Sequence, residues 1–130
     1  MAAVADHVDA SPNDIDAIEA AALDYLEGYV AGDAERHARS YHPEAVKRRY
    51  TQDEAGVFGI INLSPTTMAD FAALTEPEDD CEIEIFIDDV SQDIASVRVY
   101  SCHWVDFLHV VKARGEWKLF HVTWHSRSTT

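Results

Sequence analysis

The chain has 130 residues, 47 % of them apolar, which suits one domain built around one core. Its 24 acidic against 10 basic side chains give a formal charge of −14, and protonating all seven histidines would only halve it. Such a chain repels phosphate backbones and anionic lipid, so no nucleic-acid or membrane partner is expected and the charge serves solubility.

Residues 1–10 contain no lysine or arginine and no apolar run, so they are expected to form a disordered acidic tail rather than a signal peptide. Residues 11–130 then form a single domain. Cys81 and Cys102 have no C-x-x-C spacing, which excludes a zinc ribbon or a thioredoxin-type site. They are read as two buried free thiols of a cytoplasmic protein.

Ser11-Pro12-Asn13-Asp14 starts a helix, with Ser11 as N-cap, Pro12 at the first helical position and Asp14 at a capping-box spacing. Ile15, Ile18, Ala22, Tyr25 and Tyr29 then recur at helical spacing, with Leu23, Leu26 and Val30 beside them. Gly32 ends this helix and Asp33 caps a second, short and polar one over Ala34 to Ser40, which Tyr41-His42-Pro43 stops. Lys47 to Thr51 reads as a short strand, and Gly56 and Gly59 make the stretch to Leu63 loop or broken strand. Ser64-Pro65 opens a third helix with Met68, Phe71, Ala72 and Leu74 on its apolar face, and Glu76 to Asp80 is an acidic linker.

From Cys81 the period becomes two. Ile83, Ile85 and Ile87 alternate with polar and aromatic residues, a turn falls near Ser91-Gln92-Asp93, and Ala95, Val97 and Val99 share a face in the next strand. Helices followed by a run of strands predict an α+β fold with an antiparallel sheet. Val105 to Trp124 forms the last hairpin around Arg114-Gly115. A two-residue type I′ turn needs a positive φ at Arg114, which a non-glycine residue resists. A three-residue loop avoids that, with Gly115 at the bulge position, and pairs Lys112 with Glu116. This register puts Asp106, Leu108 and Val110 on one face with Phe120, Val122 and Trp124. Phe107, His109, Trp117, Leu119 and His121 fall on the other. Asp106 is then a carboxylate on an apolar face, where desolvation raises its pKa and suits it to general acid or base work.

Four segments carry a resemblance: A-L-D-Y-L-E-G-Y from Ala22, H-P-E-A-V-K-R-R from His42, V-D-F-L-H-V-V-K from Val105 and E-W-K-L-F-H-V-T-W from Glu116. Their order and spacing resemble the nuclear-transport-factor-2-like superfamily, in particular its putative lumazine-binding branch, related to SnoaL-like proteins. The resemblance implies a cone-shaped, cystatin-like fold in which a curved sheet wraps the helices and leaves a pocket at its open end. It also implies a homodimer through the outer sheet face. Members of the superfamily include isomerases and cyclases that use a pocket carboxylate, alongside proteins that only bind or scaffold, so fold alone does not assign function.

Asp106 and His42 are the candidate catalytic pair, His42 lying near the implied open end of the cone and able to exchange a proton with the carboxylate. Tyr25, Tyr29, Arg48, Leu108, Phe120 and Trp124 are the candidate ligand contacts. Arg48 and Arg49 alternate, so one points inward, and Arg48 is taken as that one. Structural readings stand beside these: an Asp106 that pairs with an arginine, a capping His42, and tyrosines packed in the core. His121 and His125 share a strand face, but four strand residues span roughly 13 Å, too far for one ion. His109 and His121 lack a third ligand, so no metal and no cofactor is expected. The expected partner is a small apolar or aromatic molecule with a polar handle. A proton-transfer enzyme acting next to a carbonyl and a dimeric module without ligand are the alternatives.

Overall fold

The computed structural model describes residues 7, 8 and 10–127, and of His7 only the backbone. Local signals set the helices. Ser11 accepts the Asp14 amide at 3.2 Å and opens α1 (Pro12–Val30), which Gly32 at φ 69° leaves behind. Asp33 accepts the Arg36 amide and caps α2 (Ala34–Arg39), and Ser64 caps α3 (Pro65–Leu74) through the Thr67 amide. The Asp14 carboxylate does not close a capping box. It receives Lys112 Nζ and Trp117 Nε1 instead, tying the first turn of α1 to the final hairpin.

The strands are β1 (His7–Val8), β2 (Tyr41–Gln52), β3 (Phe58–Leu63), β4 (Glu84–Ser91), β5 (Ile94–Tyr100), β6 (Trp104–Ala113) and β7 (Glu116–Ser126). They form one sheet in the order β1-β4-β5-β6-β7-β2-β3. Its inner face carries Val97, Val99, Leu108, Val110, Leu119 and Val122, packed against Ile18, Ala22, Tyr25 and Leu26 of α1. This is an α+β fold of helices followed by a curved sheet. None of its described helices is long and apolar enough to cross a membrane.

Four expectations change. The sheet is mixed rather than antiparallel, because β2 lies parallel to β7 and β1 parallel to β4. β2 follows the helices and docks beside the last strand, a pairing that no local pattern announces. Where a structureless tail was expected, His7–Val8 pair with Asp89–Val90 and Ala10 packs against the core; residues 1–6 and 9 of that tail lie outside the described residues. Cys81 and Cys102 are joined in a disulfide, not free. Glu84 lies opposite Tyr100 in the β4–β5 hairpin, so the residues just beyond that pair converge at the same end of the two strands.

The last hairpin turns in two residues. Ala113 pairs with Glu116, and Arg114 and Gly115 have φ of 53° and 81°. A bulge at Phe120 then shifts the register, from Val110 opposite Leu119 to His109 opposite His121. Trp117 and Leu119 therefore turn inward, 6 % and 0 % exposed. Burying two such side chains contributes roughly 2 kcal/mol each, which outweighs the ~1–2 kcal/mol of a left-handed non-glycine residue. Beyond the bulge the expected faces hold for Asp106, Leu108, Val122 and Trp124.

Arg114→Asn, which suits a left-handed turn position better, should raise stability by about 0.5 kcal/mol and Tm by roughly 2 °C in thermal unfolding. Gly28 is the point where α1 touches α2: a Cβ there would lie 2.7 Å from the His37 amide nitrogen. Gly28→Ala should therefore cost about 1–3 kcal/mol by overpacking, readable as a lower denaturation midpoint.

Candidate functional site

Two inward rows of the sheet set the site. One runs Ile85–Val99–Asp106–Trp124 and the next runs Ile87–Val97–Leu108–Val122–Lys47–Leu63. The carboxylate of Asp106 and the amine of Lys47 thus enter the same region from neighbouring rows. α1 crosses above them and lowers Tyr25 between the two. The Tyr25 hydroxyl donates to Asp106 Oδ1 at 2.8 Å and accepts from Lys47 Nζ at 2.7 Å. The amine also lies 4.6 Å from the Trp124 ring centroid and 5.1 Å from that of Tyr25.

This chain of polar groups faces a cavity of about 260 Å3. Tyr29 and Leu26 of α1, Ile61 and Leu63 of β3, and Met68 and Phe71 of α3 line it, with Trp104 and Trp124 from β6 and β7. Its wall is mostly apolar, so polar groups inside it are poorly screened. Asp106 is 2 % exposed. Burial raises its pKa, against the lowering effect of Lys47 and of the Tyr25 hydrogen bond. Burial also lowers the pKa of Lys47, opposed by Asp106. The Tyr25 phenol is pushed well up, first by burial and then by the nearby carboxylate. Desolvation thus moves both ends of the chain toward their uncharged forms.

A second buried group supports the first. His37 Nδ1 sits 2.7 Å from the Tyr25 carbonyl oxygen, and its Nε2 2.6 Å from the Tyr41 hydroxyl. A carbonyl only accepts, so Nδ1 carries the proton and Nε2 accepts from Tyr41. That arrangement needs a neutral imidazole. Burial lowers its pKa to about 4, against the raising effect of the Tyr25 carbonyl. The ring stacks on Tyr25 at 5.2 Å and fixes where the phenol points.

Tyr25, Tyr29, Asp106 and Trp124 meet at the cavity. The other sequence-derived candidates lie elsewhere. His42 does not reach Asp106: its Nδ1 accepts the Glu44 amide at 3.0 Å, and its ring meets the edge of Phe120. Phe120 is the bulge residue and leans on His42 and His121, away from the cavity. Leu108 is 1 % exposed and spent on the core. Arg48 pairs with Thr123 on the outer face, in a row with Phe107, Arg98 and Phe86. Arg49 takes the inward phase, with its guanidinium 5.8 Å from the Trp124 centroid and its buried Nε without a partner among the described residues.

Sequence reasoning missed Lys47, His37 and Trp104. Lys47 has the same strand phase as Arg49 and as buried Ala45, so the correct phase would have delivered both cations. His37 and Tyr41 are four residues apart, and nothing local says that α2 turns its histidine inward. Among the described residues, one group has metal-ligand proximity: Glu78, Cys102 and His103, within 4.8 Å of one another. The Cys102 sulfur is engaged in the disulfide, which removes it as a thiolate donor.

The family model described as "Putative lumazine-binding" matches residues 13–125. The chain belongs to that family. A search of curated proteins found no match. Among solved structures, a nuclear-transport-factor-2-like protein of unknown function from Shewanella baltica is 18 % identical, with TM-score 0.78 over 93 % of this chain and 100 % of that one. A ketosteroid isomerase-like protein from Erwinia carotovora atroseptica is also 18 % identical, with TM-score 0.65 over 91 % and 99 %. A putative scytalone dehydratase from Novosphingobium aromaticivorans is 16 % identical, with TM-score 0.63 over 89 % and 85 %. At these identities the likeness shows the fold, that of the nuclear-transport-factor-2-like superfamily.

His37 generates a pH prediction. Its pKa falls from 6.5 unfolded to about 4 folded, so between those values the unfolded chain binds more protons and stability rises with pH. The contribution is on the order of 3 kcal/mol, complete above the unfolded value and lost as pH drops toward 4. Asp106, with its raised pKa, acts in the opposite sense above 3.8, where its bound proton is progressively lost as pH rises. Tm measured from pH 7 to 4 should fall more steeply in the wild type than in His37→Gln, which cannot titrate. Parallel curves for the two proteins would contradict this account.

Proposed function

We propose that the cavity binds a small, largely apolar or aromatic molecule carrying a carbonyl or anionic oxygen. That oxygen approaches Lys47 while the rings of Trp104, Trp124 and Phe71 enclose the rest. The observation that carries this reading is the Lys47–Tyr25–Asp106 chain facing an otherwise apolar cavity. A buried amine aimed at an apolar space costs several kcal/mol of solvation, and a ligand oxygen offsets that cost. The buried Nε of Arg49, beside Trp124, adds a second donor within reach of an anionic head. The family description is consistent with small-ligand binding.

A second reading makes the protein an enzyme. Asp106, its pKa raised by burial, exchanges a proton through Tyr25 with a carbon next to the ligand carbonyl. Two proteins of similar fold, one ketosteroid isomerase-like and one a putative scytalone dehydratase, are named for chemistry in keeping with this reading. His42 has no part in it.

The outer sheet face belongs to the same proposal as the surface of a homodimer. Phe107, Val46 and Phe86 are 50 %, 41 % and 40 % exposed there, interleaved with Arg98 and Arg48, a mixed surface that a second copy would cover. The cytoplasm is the compartment in this proposal, and the Cys81–Cys102 bond weighs against it, since disulfides belong mainly to oxidising compartments.

The binding reading is tested with 2-naphthoate, an apolar anion, followed by tryptophan fluorescence. Lys47→Met should weaken binding by roughly 10- to 100-fold, the value of a hydrogen bond to a charged group, without lowering Tm. Tyr29→Ala should weaken it less. Unchanged affinity in both variants would overturn the reading.

A further inference from the structure

Lys47 differs from the other two lysines of the chain. Lys112 is paired with Asp14 at 3.1 Å and Lys118 lies 4.0 Å from Glu116. Lys47 has no carboxylate at salt-bridge distance among the described residues; its hydrogen-bond partner is a phenol. The phenol is itself bonded to a buried carboxyl group. A desolvated amine, a proton relay touching it and an apolar cavity in front of it are the parts an amine nucleophile needs.

We propose that Lys47 condenses with the carbonyl of an apolar aldehyde or ketone to form an imine, within the pocket described above and resting on that reading. The uncharged amine places its lone pair on the carbonyl carbon. A C–N bond forms as the C=O π bond breaks, and the carbonyl oxygen takes that electron pair and a proton from solvent, which the product keeps as the charge of a protonated imine. The nitrogen gives up a proton to the Tyr25 oxygen, 2.7 Å away, as Tyr25 passes its own proton to Asp106. The C–O bond of the carbinolamine then breaks. Its oxygen leaves as water with a proton returned along the same relay, and the nitrogen lone pair closes the C=N bond. One water is released for each imine formed, and no oxidant or reductant enters. Burial lowers the amine's pKa, which favours the uncharged form that the attack requires. Trp124, 4.6 Å from the amine, gives an aromatic aldehyde a face to stack on.

The test uses the full-length protein, 2-naphthaldehyde as the probe and sodium cyanoborohydride as the trap, at neutral pH. The expected result is one dominant adduct whose mass gain equals the probe less one oxygen, mapped to Lys47. Labelling at Lys47 should outpace Lys112 and Lys118, and Asp106→Asn should slow it by ~100-fold, as loss of a general acid–base does. The wild-type peptide map decides the matter even if that variant folds poorly. Labelling spread evenly over the three lysines overturns the inference. A probe that quenches tryptophan fluorescence while Lys47 stays unlabelled overturns the imine alone and leaves the binding reading standing. A probe that neither quenches nor labels counts against both.

Discussion

The hydrogen bond from Tyr25 to Asp106 joins the helix layer to the sheet at its most buried polar point. A carboxyl group 2 % exposed on an apolar sheet face is tolerable only when hydrogen-bonded. Its partner comes from the opposite layer: Ile85 and Val99 in the same inward row offer no side-chain donor, and Lys47 of the next row bonds to Tyr25. That requirement fixes the rotation of α1 over the sheet. It also explains the surrounding polar groups. His37 holds the Tyr25 backbone, Tyr41 satisfies His37, and Gly28 lets α2 approach closely enough for His37 to arrive.

The buried network has a direction. Donors run from Lys47 through Tyr25 to Asp106, and separately from Tyr41 to His37 to the Tyr25 carbonyl. The histidine branch contains no group that needs charge to make its bonds, so it acts as scaffold. The lysine branch ends at the cavity with an amine on one side and a carboxyl group on the other. In the proposed reading binding and chemistry belong to the lysine branch, while the loss of stability in acid belongs to the histidine branch.

What was legible in the sequence follows from how local each signal is. The helix starts at Ser11, Asp33 and Ser64 depend on contacts three residues away, and all three formed as read. The inward phase of Asp106 followed from alternation within its own strand. The phase of β2 did not, because it is set by pairing with β7 rather than by anything near Arg48. The turn at Arg114 illustrates a local rule overridden: a non-glycine residue does resist positive φ, but the burial of Trp117 and Leu119 is a larger, non-local effect. The disulfide was hidden for the same reason, since its ends meet only once β4 and β5 are zipped.

The parallel pairing of β2 with β7 has a consequence for the order of events during synthesis. Lys47 belongs to an early strand, Asp106 and Trp124 to late ones, and several elements separate them along the chain. Contacts of such high sequence separation close slowly, since a long loop must be ordered before they reward it. While a ribosome is still adding β7, β2 has only β3 to pair with, and the amine has no Trp124 ring above it. The helices and the β4–β5 hairpin can assemble first. The cavity is then a late product of synthesis, closed when the final strand slots between β6 and β2.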